Sequence, residues 1–273
     1  MSLIRSFSWT RQPQVNAGLN PQYATAFACN PAVGVGQQVL NGVNVPVKTP
    51  DAKGLVWSLN GTGGVSSSIN LGTTNAINIF TDNPGWAMFV LTPTIDASSH
   101  ALAGKSDVNN NTGWIAWFDT NGALQLNVPC NTTNARANTG NGVLVNGTPA
   151  VVILNFNGDV TSSTGFRFWV NGVDQTTSNT AGSGIHPTDA THTLWFGRNA
   201  WSGSANDGSG LYNIQAYGRR QLTKTEIIAL SNNPWDVFAP SARSMMFPSL
   251  GAGPAFNPAW ASRANQVSGG YCT

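Results

Sequence analysis

Charge is scarce in this sequence, and glutamate is almost missing. Of 273 residues only 9% are Asp, Glu, Lys or Arg, against about 25% in an ordinary soluble domain. The single Glu is Glu226, and there are four Lys. That excludes long solvent-facing helices, which draw on Glu and Lys. It also weighs against a glycosidase, because the ten Asp form no close acidic cluster to supply two carboxylates across a bond. Cysteine is limited to Cys29, Cys130 and Cys272, an odd number at wide spacing. Neither a disulfide framework nor a zinc site is expected, and reduced thiols made in a reducing cytoplasm fit. No run of 18 apolar residues occurs, and the opening Met1 to Trp9 lacks an apolar core of signal-peptide length. A soluble chain without a membrane partner or an ordinary secretion signal is expected.

What the sequence does have is Gly, Asn, Ser and Thr in place of charge, with ten Trp and twelve Phe that exclude disorder. The net charge of +2 divides into +3 over residues 1–50, −4 over 51–218 and +3 over 219–273. The basic ends carry no basic run with interleaved aromatics, so nucleic acid is not an expected partner. They could dock on an acidic protein surface.

Asn-Gly pairs, which favour tight hairpin turns, begin at Asn41, Asn60, Asn121, Asn141, Asn146, Asn157 and Asn171. Between them Leu124–Val128 and Phe166–Val170 alternate with period two, turning one face inward and one outward. Trp86–Leu91 and Ala150–Leu154 are apolar throughout. About ten strands between Leu55 and Tyr217, some buried on both faces, predict an all-β antiparallel sandwich of jelly-roll type. Thr223 and Glu226 form a capping box for one short helix, ended by Asn232-Asn233-Pro234 and expected to plug an edge or end of the sandwich. The expected organisation is an irregular arm over 1–50, the sandwich over 51–232 and a second arm over 233–273. Both arms combine prolines with large apolar side chains, which linkers rarely carry.

The stretch from Leu55 to Leu230 resembles the laminin-G-like, or concanavalin A-like lectin and glucanase, sandwiches. The resemblance rests on Ala76–Phe80, Trp86–Leu91, the hairpin carrying Trp114–Trp117 and Gly122–Leu126, and Phe166–Val173. Leu194–Gly197, Ile214–Tyr217 and Arg220–Ile227 complete it. Asn233–Pro240 and Ala264–Gly270 are similar to segments of tailed-bacteriophage virion proteins. This resemblance implies a non-enzymatic virion structural protein, such as a head decoration or fibre subunit, assembled in the bacterial cytoplasm. Its partners would be capsid, neck or tail proteins and further copies of itself. The alternative is a receptor-binding adhesin for host surface polysaccharide.

The glucanase strand with alternating acids is absent, so no catalytic residue is expected. No phosphate loop is present, and the three His stand near no nucleophile motif, so no cofactor is expected either. For a sugar site, which needs an exposed aromatic beside amides or a carboxylate, the loop offers Asn199, Trp201, Asn206 and Asp207. Asp107, Asn109 and Asn111 have alternating oxygen ligands suggestive of calcium, but Thr112 and Phe118 stand where an EF-hand needs Gly and an acid; a hairpin loop is the preferred reading. Assembly contacts are expected from Arg5, Trp9, Arg11, Trp235, Phe238, Met245, Met246, Phe247, Phe256 and Trp260, which lie outside the expected sandwich.

Overall fold

In a computed structural model, the structure describes residues 19–30, 34–35, 47–51, 54–59, 68–73, 80, 83–107, 112–198 and 208–238. All lie in the first of the two units into which the chain divides, Met1–Pro240. The described strands begin with β1 (Thr25–Asn30), β2 (Gly34–Val35), β3 (Val47–Asp51), β4 (Gly54–Leu59), β5 (Ile69–Asn70), β6 (Gly85–Pro93), β7 (His100–Ser106) and β8 (Gly113–Phe118). They continue with β9 (Leu124–Val128), β10 (Ala135–Thr139), β11 (Ala150–Phe156), β12 (Phe166–Val170), β13 (Val173–Asp174), β14 (Thr176–Thr180), β15 (Trp195–Phe196) and β16 (Gly210–Gly218). Helix α1 spans Lys224–Asn232.

The strands form two antiparallel sheets, as the alternation in the sequence requires. One has nine strands with the path β13-β12-β11-β6-β16-β1-β2, and β4 also pairs with β16 and carries β3. The other has seven, in the order β14-β10-β9-β8-β7-β15-β5. Between the sheets lies an aromatic core: Phe80 meets Trp114 edge-on at 4.9 Å, and Phe156 stacks on Phe166 at 4.2 Å. Tight turns join the hairpins; at Asn171-Gly172 both residues have positive φ, 51° and 79°, the backbone that the Asn-Gly pair predicts.

The apolar strands β6 and β11 are buried on both faces. Ala87, Phe89, Leu91, Val152 and Leu154 face the inter-sheet core. Trp86, Met88, Val90, Val151 and Ile153 face the other way, into a second cluster with Ile227 and Leu230 of α1 and with Tyr23, Trp235, Val237 and Phe238. Each such side chain contributes on the order of 1.5–3 kcal/mol when taken out of water. The helix therefore covers the outer face of the nine-stranded sheet, where an edge or end plug was expected.

Polar contacts fix this third layer. Asn155, on the outer face of β11, accepts from Leu222 N at 2.9 Å and donates to Leu222 O at 3.0 Å, so a side chain completes the hydrogen bonding of the segment entering α1. The Trp86 indole donates to Tyr23 O at 2.9 Å. Gly218 is needed beside it, since a Cβ there would lie 2.0 Å from the indole nitrogen. The Thr223–Glu226 capping box forms as predicted. Arg220 grips Glu226 through both carboxylate oxygens, at 2.5 and 2.9 Å, and holds the carboxyl at about 2, far below its ordinary value.

Two expectations about the ends are corrected. Residues 1–50 are not an irregular arm throughout: β1 pairs along the end of β16, because Phe27 and Ala28 can bury on opposite sides of the sheet. The sandwich also continues past residue 232. Asn20 N donates to Val237 O at 2.9 Å, and the Asn20 side chain donates to Asp236 O at 2.7 Å, joining the two ends of the described chain.

Two outcomes follow for stability. Asn155→Ala leaves the Leu222 N–H and C=O buried without partners and should lower unfolding stability by roughly 2–4 kcal/mol in urea titrations. Because Glu226 titrates near 2 when folded and near 4.5 in its ordinary state, its contribution is complete above pH 4.5 and is lost as pH falls from 4.5 to 2. Glu226→Gln should remove that part of the acid dependence, on the order of 1 kcal/mol for a partly exposed pair; an unchanged acid limb would contradict the assignment.

Candidate functional site

Among the described residues no helix covers the outer face of the seven-stranded sheet, and there the period-two alternation gathers polar and aromatic groups. In β8 the inward residues are Trp114, Ala116 and Phe118, so Ile115 and Trp117 point outward. Leu124, Leu126 and Val128 of β9 face the core, which turns Gln125 and Asn127 outward. Ala135 and Ala137 of β10 do the same for Arg136 and Asn138.

Strand register sets these residues in two rows. Ala101 pairs with Trp117, Trp117 with Gln125, and Gln125 with Asn138. The neighbouring row runs from Gly104 through Ile115 and Asn127 to Arg136. Together with Ser99 and Asn134, the members of these rows other than Gly104 line a groove of about 600 Å³. Buried Ile115 and Asn127, 4% and 5% exposed, make its floor; Trp117, Gln125 and Asn138 are half-buried, and Arg136 is exposed.

Hydrogen bonds hold the polar groups in place. Asp119 accepts from Asn121 N and Ala123 N at 2.8 and 3.0 Å, and its other oxygen accepts from the Gln125 amide at 3.1 Å. Asn127 accepts from Arg136 Nε at 3.3 Å, and Asn138 donates to Ser178 Oγ at 3.3 Å. Asn134 accepts from Cys130 N at 3.1 Å, which commits its carbonyl and leaves its amide N–H groups as donors. Among the described residues the lining contains no carboxylate, His or Cys. Such a surface can stack an aromatic ring on a flat apolar face and read hydroxyls with amides; it lacks the usual side chains for moving a proton near neutral pH.

The described lining of the groove includes none of the residues expected from sequence. Asn199, Trp201, Asn206 and Asp207 lie outside the described residues, as do Asn109 and Asn111. Asp107 accepts from Thr112 N at 3.3 Å. Among the described residues no group of three His, Cys, Asp or Glu could hold a metal. Arg5, Trp9, Arg11, Met245, Met246, Phe247, Phe256 and Trp260 are also outside the described residues. Trp235 and Phe238 require a correction as assembly contacts: they are 6% and 4% exposed and pack on the outer face of their own sandwich. Glu226 serves the helix cap. His192 is hydrogen-bonded to Thr112 Oγ1 at 2.6 Å and His186 to Pro129 O at 2.6 Å. Lys105 and Asp189 form a buried pair, 3.7 Å apart, in which burial pushes the ammonium down and the carboxyl up.

Sequence reasoning missed Trp117, Gln125, Asn127, Arg136 and Asn138 as a group. The alternation in Leu124–Val128 was a usable signal, since it turns Gln125 and Asn127 to one face. The register that brings Trp117 and Arg136 beside them was not visible in any one segment.

No family model and no curated protein sequence matches the chain. Solved structures do share its fold. The binding domain of Paraclostridial Mosquitocidal Protein 1 superposes with a TM-score of 0.60 at 12% identity, over 76% of this chain and 52% of that one. The binding domain of Botulinum neurotoxin DC, in complex with rat synaptotagmin II, gives 0.56 at 12% identity over 77% and 51%. The same domain in complex with SialylT gives 0.54 at 12% identity over 77% and 51%. The chain thus spans about half the length of these structures. At such identities the likeness establishes a shared β-sandwich fold.

Proposed function

We propose that this chain is a carbohydrate-binding sandwich whose site is the groove on the outer face of the seven-stranded sheet. The observation that carries the reading is the row Trp117, Gln125, Asn138: an aromatic platform with amides beside it across adjacent strands. A sugar ring presents apolar C–H groups on its faces and hydroxyls around its edge, and this row offers a partner for each. The solved structures that share the fold are named as binding domains, one of them in complex with SialylT, which supports binding as the role of the sandwich.

Host-surface polysaccharide is the ligand source that the adhesin alternative names, and the groove offers it a site among the described residues. Anchoring on a capsid, neck or tail has no observation in its favour among the described residues, and two of its expected anchors, Trp235 and Phe238, are buried within the chain.

Trp117→Ala should weaken binding to the preferred glycan roughly tenfold or more, the equivalent of about 1.4 kcal/mol, as read on a glycan array and by titration calorimetry. Gln125→Ala should weaken it less and leave thermal unfolding nearly unchanged, as expected for an outward polar side chain. Undiminished binding by Trp117→Ala, or no glycan bound by the full chain, would contradict the proposal.

A further inference from the structure

We infer that the glycan taken by this groove carries a carboxylate, and that Arg136 is the group that reads it; the inference rests on the groove being the sugar site. Among the described residues that line the groove, Arg136 is the one charged side chain. Its charge has no counter-charge in the structure described: no ion pair to Arg136 occurs among the described residues, whereas Arg167 and Arg220 each have a carboxylate within 4 Å.

The guanidinium is also oriented. Its Nε donates to Asn127, and Asn127 is buried in the groove floor, so the inner edge of the fork is tied to the sheet. The two terminal amino groups then form the outer edge, the geometry that accepts both oxygens of a carboxylate. A neutral sugar would leave this charge without a counter-group where solvent is partly displaced, and such a charge favours an anionic ligand.

Register also sets a spacing. Arg136 sits two strands and two residues from Trp117, a Cα separation of roughly 10–12 Å from standard strand dimensions. That spacing suits an oligosaccharide with an acidic unit, uronate or sialate, near Arg136 and another unit on Trp117.

The test uses the full chain on an array of neutral, uronate-bearing, sialate-bearing and sulfated glycans, followed by calorimetry with the best carboxylated glycan and its methyl ester. The expected result is selection of carboxylated glycans and a loss on esterification of roughly tenfold or more. Arg136→Gln should lose as much against the acid and nothing against the ester. Arg136→Lys, which keeps the charge without the fork, should fall between wild type and Arg136→Gln, and its circular dichroism checks that the fold survives. Raising the salt concentration should weaken binding of the acid and leave the ester unaffected. Equal binding of acid and ester, Arg136→Gln unchanged against the acid, or selection of sulfated glycans alone overturns the carboxylate assignment while leaving a Trp117-dependent sugar site standing. Absence of any glycan binding overturns both.

Discussion

The structure depends on burying both faces of β6 and β11. A strand that is apolar on alternate residues needs one covering layer, and a strand that is apolar throughout needs two. The seven-stranded sheet supplies one cover. The second has to come from outside the sandwich, and the chain builds it from Tyr23 on one side and from α1 and the Pro234–Val237 turn on the other. Asn155, Trp86 and Gly218 adapt the outer face to that cover, one by satisfying the backbone entering the helix and the others by seating an indole. Trp235 and Phe238, expected as anchors, belong to this second layer.

That arrangement divides the two sheets by role. The nine-stranded sheet spends its outer face on packing and has no free surface at its centre. The seven-stranded sheet keeps inward residues apolar in β8, β9 and β10 and turns Ile115 and Trp117 of β8 and the polar residues of β9 and β10 outward, so a groove with a fixed floor arises from regular strands. Side chains on paired strands are positioned more rigidly than side chains on loops, which suits a site that reads hydroxyl positions and a charge. The scarcity of charge elsewhere makes Arg136 more conspicuous electrostatically.

The β-class, the apolar strands, the Asn-Gly turns and the capped helix were legible because each is a local pattern: period two, continuous apolarity, a dipeptide, a four-residue box. Long-range pairings were not. β1 was read as part of an arm because Thr25–Asn30 is short and its partner, β16, lies nearly 200 residues away. The capping box marks the helix but not its partner, so an edge or end was expected; its place on the outer face depends on contacts distant in sequence, such as Leu222 with Asn155. The site was missed for the same reason: Trp117, Gln125 and Arg136 belong to three strands, and only their register makes them neighbours. Trp235 and Phe238 misled because an aromatic beside prolines reads the same whether it covers its own sandwich or another protein.

The most direct measurement is an amide and indole NMR titration of the isotopically labelled chain with an acidic oligosaccharide selected on the array. A sugar site on the seven-stranded sheet predicts shifts concentrated at the Trp117 indole, the Gln125 and Asn138 side-chain amides and the β8–β10 backbone, saturating with a single affinity. Saturating shifts confined to residues remote from these three strands would contradict it.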